Sequence, residues 1–454
     1  MKRLGFIFLI LFVLLVGCTT NNEKTSTLNT NANPTTNPST ITNSTTTTTK
    51  IDDDKKRELI YKELSSYCDN LLEKTDSYIP YWNKESFKGK WNYIDGVFLN
   101  SLVNLYKNTS DSKYSDFLIN YINYYIEPSG SFLNLKDSEA VGFTEGELDT
   151  ICASKILFDA YELTKDNRYI NAINYTYNRL LEIPRAGDTI NFSHKVSYLN
   201  QIWLDGMYMY VPFYARYANF YNKMEILDEI INQYKIIRNN MFNSNTGLYY
   251  HGYDTTKTIF WANENGCSEN HWLRSMGWYI VSICDVLEYY PDGENKEYLI
   301  NLLKEAITGV LKYQDKDSKM FYQIVDKMKI SVNVPYEYFK ALNNKKYTNS
   351  AVVQNYLESS GSSMIAYAIL KASRLGYLPS GYLSIGSEIF EGIYNHSFKN
   401  GMLNDICITA GLGPSSKPYR DGSVEYYLAE PVGSDDAKGV GPFIMAYIEY
   451  RYGE

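Results

Sequence analysis

Thr109-Ser-Asp-Ser-Lys-Tyr114 returns 55 residues later as Thr164-Lys-Asp-Asn-Arg-Tyr169, and this echo decides the fold. Each copy is short and polar and lies between two helical stretches. After the first, Tyr114, Phe117, Leu118, Tyr121, Ile122 and Tyr125 fall at i, i+3, i+4, i+7, i+8 and i+11, one face of a helix. After the second, Ile170, Ile173, Tyr177, Leu180 and Leu181 do the same. A weaker echo, Glu294-Asn-Lys-Glu-Tyr298, precedes Leu299, Leu302, Leu303, Ala306 and Val310. Helix hairpins recurring at roughly 50–60 residues indicate an array of repeated units. About twelve such helices follow Asp52. As six hairpins they close into an all-α (α/α)6 toroid, an inner ring inside an outer one. A linear solenoid is the alternative, but it needs polar caps at both ends, and no clear cap is visible.

Closure also explains the length. The chain has 454 residues, more than the roughly 100–200 of a typical domain, yet in a toroid every hairpin packs on two neighbours. Lys and Arg number 44 against 52 Asp and Glu, a net charge of −8, which argues against a nucleic-acid partner. The 44 tyrosines suit aromatic surfaces with polar edges, including sugar platforms.

The amino terminus reads as an address. Met1-Lys2-Arg3 is basic, Leu4 to Val16 is apolar and uncharged, and Leu15-Val16-Gly17-Cys18 closes the run. The run is short for a membrane span and has the form of a secretory signal over residues 1–17. Its Leu-x-Gly-Cys ending resembles the lipobox of bacterial lipoproteins, in which Cys18 is acylated. That predicts an extracytoplasmic protein with a membrane partner through its lipid. An uncleaved anchor helix with an incidental cysteine is the alternative. Residues 18–50, dominated by Thr, Asn, Ser and Pro, bury too little apolar surface to fold and predict a disordered tether. The barrel domain then occupies 51–454. Cys68, Cys152, Cys267, Cys284 and Cys407 form no CxxC pair, so neither zinc ligation nor a disulfide framework is expected.

Three long loops, 183–204, 242–270 and 401–434, carry aromatic and Gly content. Loops of that length are usually functional, and in a toroid they gather at one mouth. Of the four histidines, His194, His251 and His271 lie in or beside two of these loops, near Trp and Arg or Lys; His396 sits near a helix end. A metal held by His194, His251 and a carboxylate is conceivable, but no HExxH-like spacing supports it. Two aspartates stand out. Thr144 and Glu147 have the spacing of a capping box, which puts Asp149 near a helix N-terminus where the macrodipole favours its charge. Asp205 is placed to cap the helix beginning near Gly206, or else, beside Trp203 and apolar residues, to have its carboxyl pKa raised by desolvation. One carboxyl held charged and one biased toward its protonated form is the pattern of an acid/base pair.

Eight motifs in order then resemble one family, the unsaturated rhamnogalacturonyl hydrolases of glycoside hydrolase family 105. They are Phe192-Ser-His-Lys195, Trp203-Leu-Asp-Gly-Met-Tyr-Met209, Gly247-Leu-Tyr-Tyr-His251 and Trp272-Leu-Arg-Ser-Met-Gly-Trp278, then Tyr322-Gln-Ile-Val-Asp-Lys327, Asn355-Tyr-Leu-Glu-Ser-Ser360, Tyr419-Arg-Asp-Gly-Ser-Val-Glu-Tyr-Tyr427 and Lys438-Gly-Val-Gly441. The resemblance runs from about Trp91 onward, with the unsaturated glucuronyl hydrolases as nearest relatives. It implies an (α/α)6 barrel and a cofactor-free hydrolase of oligosaccharides left by polysaccharide lyases. Such enzymes hydrate the C4=C5 double bond of a terminal unsaturated uronic acid, here galacturonic, instead of attacking the anomeric carbon. By the same resemblance Asp205 is the general acid/base and Asp149 the second aspartate. His194 and His251 are sugar-contacting histidines, Trp203 and Trp272 stacking tryptophans, and Arg274 the cation near the substrate, its planar fork suited to a carboxylate. Tyr93 is a weaker match for a binding residue.

The chain departs from the family between Lys327 and Asn355, where Met328–Gln354 forms a polar and aromatic insertion. It either narrows the mouth or adds a subsite through Tyr336, Tyr338 and Phe339, or is a neutral surface excursion. Two alternatives to the galacturonyl reading stand: an unsaturated glucuronyl hydrolase, and a surface glycan-binding lipoprotein without catalysis.

Overall fold

The computed structural model describes residues 44–74, 89–133 and 140–453, with side chains from Asp54 onward. The predicted signal and Cys18 lie outside the described residues, as does most of the predicted tether. The tether's last residues, from Ser44, instead open the first helix, α1 (Ser44–Glu73). The chain divides into a unit ending at Lys55 and a second spanning Lys56–Glu454, which holds the barrel.

After α1 come α2 (Tyr93–Thr109) and α3 (Ser112–Tyr125), then α4 (Leu148–Ala153), α5 (Ile156–Thr164) and α6 (Asn167–Leu181). Next are α7 (Gly206–Tyr221), α8 (Met224–Met241), α9 (Leu273–Val286) and α10 (Glu294–Leu311). The chain ends with α11 (Tyr336–Ala341), α12 (Ser359–Arg374), α13 (Gly381–Ser397), α14 (Val424–Ala429) and α15 (Ala437–Tyr452). Strands among the described residues occur only as short two-stranded ribbons.

The inner ring closes. α2 packs on α4, α4 on α7, α7 on α9, α9 on α12, α12 on α15, and α15 returns to α2. These helices are buried nearly all round; every residue of α9 is inside. The outer helices carry a single buried stripe, as Tyr169, Ala172, Ile173, Thr176 and Leu180 do in α6. Such a stripe is what an amphipathic helix on a core requires. Counting α4–α5 as one broken inner helix, six inner and six outer helices make the (α/α)6 toroid, with α11 and α14 as additions. The outer α1 docks beside α15, Ser65 Oγ lying 3.0 Å from Tyr447 Oη and Tyr67 Oη donating to Asp435 at 2.6 Å.

The echoed segments are the turns between inner and outer helices. Ser110 and Lys165 end α2 and α5 in the left-handed region, at φ 57° and 60°. Asp111 and Asp166 then cap α3 and α6 by accepting from the Lys113 and Arg168 amides. Thr109 and Thr164 hydroxyls accept from the Asp111 and Asp166 amides at 3.3 and 3.2 Å. The fainter third echo has Gly293 at the cap position with no side-chain bond, the physical reason that it is fainter.

All six inner helices run the same way. Their C-terminal ends line one cavity of about 360 Å³ through Lys107, Asp159, Arg216, Asp285, Lys371 and Glu449, among others. Its cations face the negative ends of the helix dipoles. The N-termini therefore gather at the opposite mouth, where the three long loops enter.

Candidate active site

Backbone pairing between loops assembles the mouth. Glu147 bridges to Lys195, and the Leu148 amide donates to the His194 carbonyl at 3.2 Å, which lays loop 183–204 against the start of α4. Gln201–Trp203 pairs antiparallel with Gly252–Asp254, Trp203 opposite Gly252. The Leu204 amide donates to the His251 carbonyl at 2.8 Å. These two loops thereby bring residues 194, 205 and 251 together.

Asp149 lies in the first turn of α4, as the dipole argument anticipates. The capping box itself does not form: Glu147 is the cap residue and makes no side-chain bond to the backbone. Its carboxylate is instead 2.9 Å from Lys195 Nζ and accepts from Thr150 Oγ1 at 3.1 Å. Asp149 Oδ2 is 2.6 Å from Lys195 Nζ, and Oδ1 is 3.5 Å from His194 Nε2. Burial alone would raise its pKa, but Lys195 and His194 outweigh that and hold the carboxyl below its ordinary range. Against the effect of burial, Asp149 and Glu147 push the Lys195 ammonium above its usual value.

Asp205 precedes α7 with helical backbone angles and makes no capping bond. The capping role considered for it is therefore not used. Its Oδ1 is buried, has no hydrogen-bond partner, and faces His251 Nε2 at 3.4 Å, itself buried and unpartnered. Leaving a buried polar atom unpaired costs about 1–3 kcal/mol; two of them face to face across one gap make a feature that structural needs do not explain. Behind His251, Nδ1 lies 2.6 Å from the buried Tyr427 hydroxyl. A tyrosine hydroxyl donating to Nδ1 leaves the ring proton on Nε2, directed at Asp205. Tyr427, which orients Asp205 only through His251, is a site residue that the sequence motifs do not single out, although it closes one of them.

The aromatic residues play parts other than open platforms. Trp203 is 5% exposed, with His194 stacked on it at 4.4 Å and Tyr198 at 4.9 Å between ring centroids. Trp272 is 2% exposed and packs on His251 at 4.7 Å. Their faces are spent on protein, so the half-buried rings available at the mouth are Tyr93 and Tyr198. Tyr93 opens α2 and lines a cleft of about 370 Å³ with Asp149 and Lys195. Its hydroxyl pKa is pushed well up by burial and then by Asp149, with Asp205 contributing less.

Arg274 is enclosed. Nε donates to Ser360 Oγ at 2.7 Å, Nη2 is 3.4 Å from Glu358 Oε1 and also meets the Cys407 carbonyl, and the guanidinium sits 5.4 Å from the Trp272 ring centre. Every polar edge named here faces protein, so Arg274 braces the floor beneath Trp272. His271 is likewise internal, its Nδ1 3.0 Å from the Tyr249 carbonyl, and burial lowers its pKa. His396 is exposed on α13, away from these groups. Among the described residues, no group of three His, Cys, Asp or Glu side chains stands close enough to hold a metal. No described helix is long and apolar enough to cross a membrane, and the five cysteines from Cys68 onward are buried free thiols.

Comparison with known proteins gives the family and the fold. The sequence model of Glycosyl Hydrolase Family 88 matches residues 68–336 and 344–452, so of the expected departure over 328–354 only residues 337–343 fall outside the family model. A glycoside hydrolase of family 105 from C. acetobutylicum is 34% identical, with a TM-score of 0.72, over 85% of this chain and 99% of that one. Protein Atu3128 of Agrobacterium fabrum is 32% identical over 251 residues, 53% of this chain and 97% of its own length. The unsaturated glucuronyl hydrolase of Bacillus sp. GL1 shares the fold at 12% identity and a TM-score of 0.56, over 80% of this chain and 87% of that one.

Proposed function

From its membership of glycosyl hydrolase family 88/105, which makes this chain a glycosidase acting on oligosaccharides, we propose that it removes a 4,5-unsaturated galacturonic acid from the non-reducing end of pectin-derived rhamnogalacturonan fragments. The single observation that carries the reading is the Asp205–His251 gap: two unsatisfied buried polar atoms 3.4 Å apart, at the mouth where the inner helices begin. Asp205 delivers its proton to C4 of the vinyl ether, and the ring oxygen takes up the positive charge that develops at C5. Water adds at C5 and returns a proton to Asp205 as general base. The hemiketal so formed opens to a C5 ketone, leaving C1 as a hemiacetal that collapses to an aldehyde and releases the next sugar as its alcohol. The two-carboxylate scheme of ordinary glycosidases is not used.

Asp149, held charged by Lys195 and His194, anchors sugar hydroxyls as an acceptor, while Tyr93 and Tyr198 supply ring surface. The convergent helix N-termini and Lys195 favour the uronate's negative charge. Trp203, Trp272 and Arg274 shape the walls that hold His194 and His251.

The test is to incubate the barrel with unsaturated galacturonyl and glucuronyl disaccharides and follow loss of the conjugated absorbance. Faster turnover of the galacturonyl substrate is expected; unchanged absorbance on every disaccharide removes the reading. Asp205→Asn should lose nearly all turnover and keep binding. We also propose lipid attachment at Cys18, supported by the Leu-x-Gly-Cys sequence. Mass spectrometry of the membrane-extracted protein should find a lipid-modified Cys18 at the mature terminus; an unmodified thiol there is the contrary result.

A further inference from the structure

The insertion and the 401–434 loop enclose a second cleft of about 430 Å³ beside the mouth. Leu342 of the insertion, Thr409, Tyr419, Arg420 and Glu430 line it. Glu430 is 2% exposed, and its Oε1 is buried without a hydrogen-bond partner. Arg420 Nη2 stands 3.9 Å from that oxygen, beyond hydrogen-bond reach. The Arg420 guanidinium donates no hydrogen bond among the described residues. A carboxyl group and a guanidinium thus stand almost but not quite paired, each with unused capacity.

A hydroxyl group fits that gap. Its O–H donates to the carboxyl oxygen while its lone pair accepts from the guanidinium, and one oxygen reaches both across such a separation. An anionic group would satisfy Arg420 and bring no proton for Glu430 Oε1; an apolar group would satisfy neither. Tyr419, 38% exposed, adds an aromatic wall of the kind that covers a pyranose face. The cleft adjoins the wall of the catalytic mouth: a Cβ at Gly411 would stand 3.0 Å from Trp203 and 3.6 Å from Arg420 Nη1. Only the backbone of this glycine separates the Trp203 indole from the guanidinium.

We infer that this cleft is a distal subsite that binds a neutral sugar unit of the oligosaccharide through Glu430, Arg420 and Tyr419. The inference rests on the oligosaccharide-hydrolase reading above and extends it to the length of chain recognised. The insertion, in this view, supplies one wall of a length-selecting groove.

Two variants test it, each placed in the Asp205→Asn background: Glu430→Gln, which keeps the shape, and Tyr419→Ala, at an exposed position. Binding of lyase-generated unsaturated disaccharide and tetrasaccharide is measured by calorimetry, and turnover of the disaccharide by the unmodified enzyme is measured separately. Each variant should raise Kd for the tetrasaccharide roughly tenfold, the loss of a charged hydrogen bond or a ring contact, and leave the disaccharide Kd within about twofold. Equal weakening of both ligands, or none for the tetrasaccharide, overturns the subsite. Absent turnover with selective loss of tetrasaccharide binding would sink the proposed hydrolase and keep the subsite. If the parent binds neither sugar, both are overturned.

Discussion

Tyr427 illustrates how one side chain acts through another. It touches His251, not the carboxyl proposed to react, so its proposed part is that of a positioning residue. Tyr427→Phe removes the bond to Nδ1, and kcat should fall roughly tenfold with KM within about twofold. A limb of the pH–rate profile should also move, a change that simple loss of packing would not produce; an unmoved profile would refute the role. Glu430 makes a different prediction. Burial lifts its carboxyl pKa to about 7, with Arg420 opposing, so the folded form holds a proton that the unfolded chain releases near the ordinary value of 4.5. Stability from this group is whole below 4.5 and lost as pH rises through 7, on the order of 3 kcal/mol at most. Glu430→Gln should therefore raise the melting temperature relative to wild type at pH 8, and the difference should vanish near pH 4. A constant difference across that range would contradict the burial argument.

Much of the site at this scale is legible in the chain itself. His194, Asp205 and His251 sit in motifs whose order alone suggests proximity. Arg274 is different, because nothing in Trp272-Leu-Arg274 reveals that Glu358, 84 residues away, claims its guanidinium. Trp203 likewise reads as a free platform, since only the folded loop shows His194 and Tyr198 lying across it. Long-range partners of buried polar groups leave no local trace in a sequence.

Among the elements, the insertion matters most. Of the two readings of Met328–Gln354, the neutral excursion does not hold for its packing. Ser331–Val334 pairs with Ala351–Gln354, and α11 sits on α14. Phe339 is fully buried in a cluster with Tyr426, Tyr427 and Trp272, and Tyr338 Oη donates to Asp421 at 2.6 Å. The segment therefore clamps the loop that delivers Tyr427 to His251. Phe339→Ala should cost about 3–5 kcal/mol locally. The expected signature is accelerated proteolysis within 328–354 and reduced kcat, while the inner ring keeps its helicity. Full activity with a loosened insertion would separate the clamp from the site. The helices themselves are legible because Tyr114 to Tyr125 and Ile170 to Leu181 repeat at helical spacing. The short ribbons are not, since Gln201–Trp203 and Gly252–Asp254 are three residues each and exist only because two loops meet.

At the scale of the whole barrel, the far end of the ring is a buried ionic plug. Asp285 accepts from Lys371 at 2.9 Å and from Tyr367 at 2.8 Å, with Lys155 at 3.4 Å. Burial would raise its pKa, but Lys371 and Lys155 outweigh it and hold it low; Asp159 is held low in the same way by Arg216. Depressed carboxyls contribute stability that is present above the unfolded value, roughly pH 4, and is lost as pH falls through the folded one. Unfolding should therefore set in below about pH 4. Asp285→Asn should cost about 3–5 kcal/mol at neutral pH by leaving the buried Lys155 ammonium without its carboxylate and Lys371 with Glu288 alone, read as a lowered denaturant midpoint. An unchanged midpoint would mean the plug carries no net stability.

The ring has one seam, where α15 meets α2, the last inner helix against the first. During synthesis the emerging chain can stack five hairpin partners in succession, yet it stays an open arc until residues 437–452 arrive. Asp435 and Asp436, which tie down Tyr67, the Leu403 amide and the start of α15, come with that final segment. Until that segment docks, the ring lacks its closing inner helix, so the barrel is completed in one step, when α15 seats against α2.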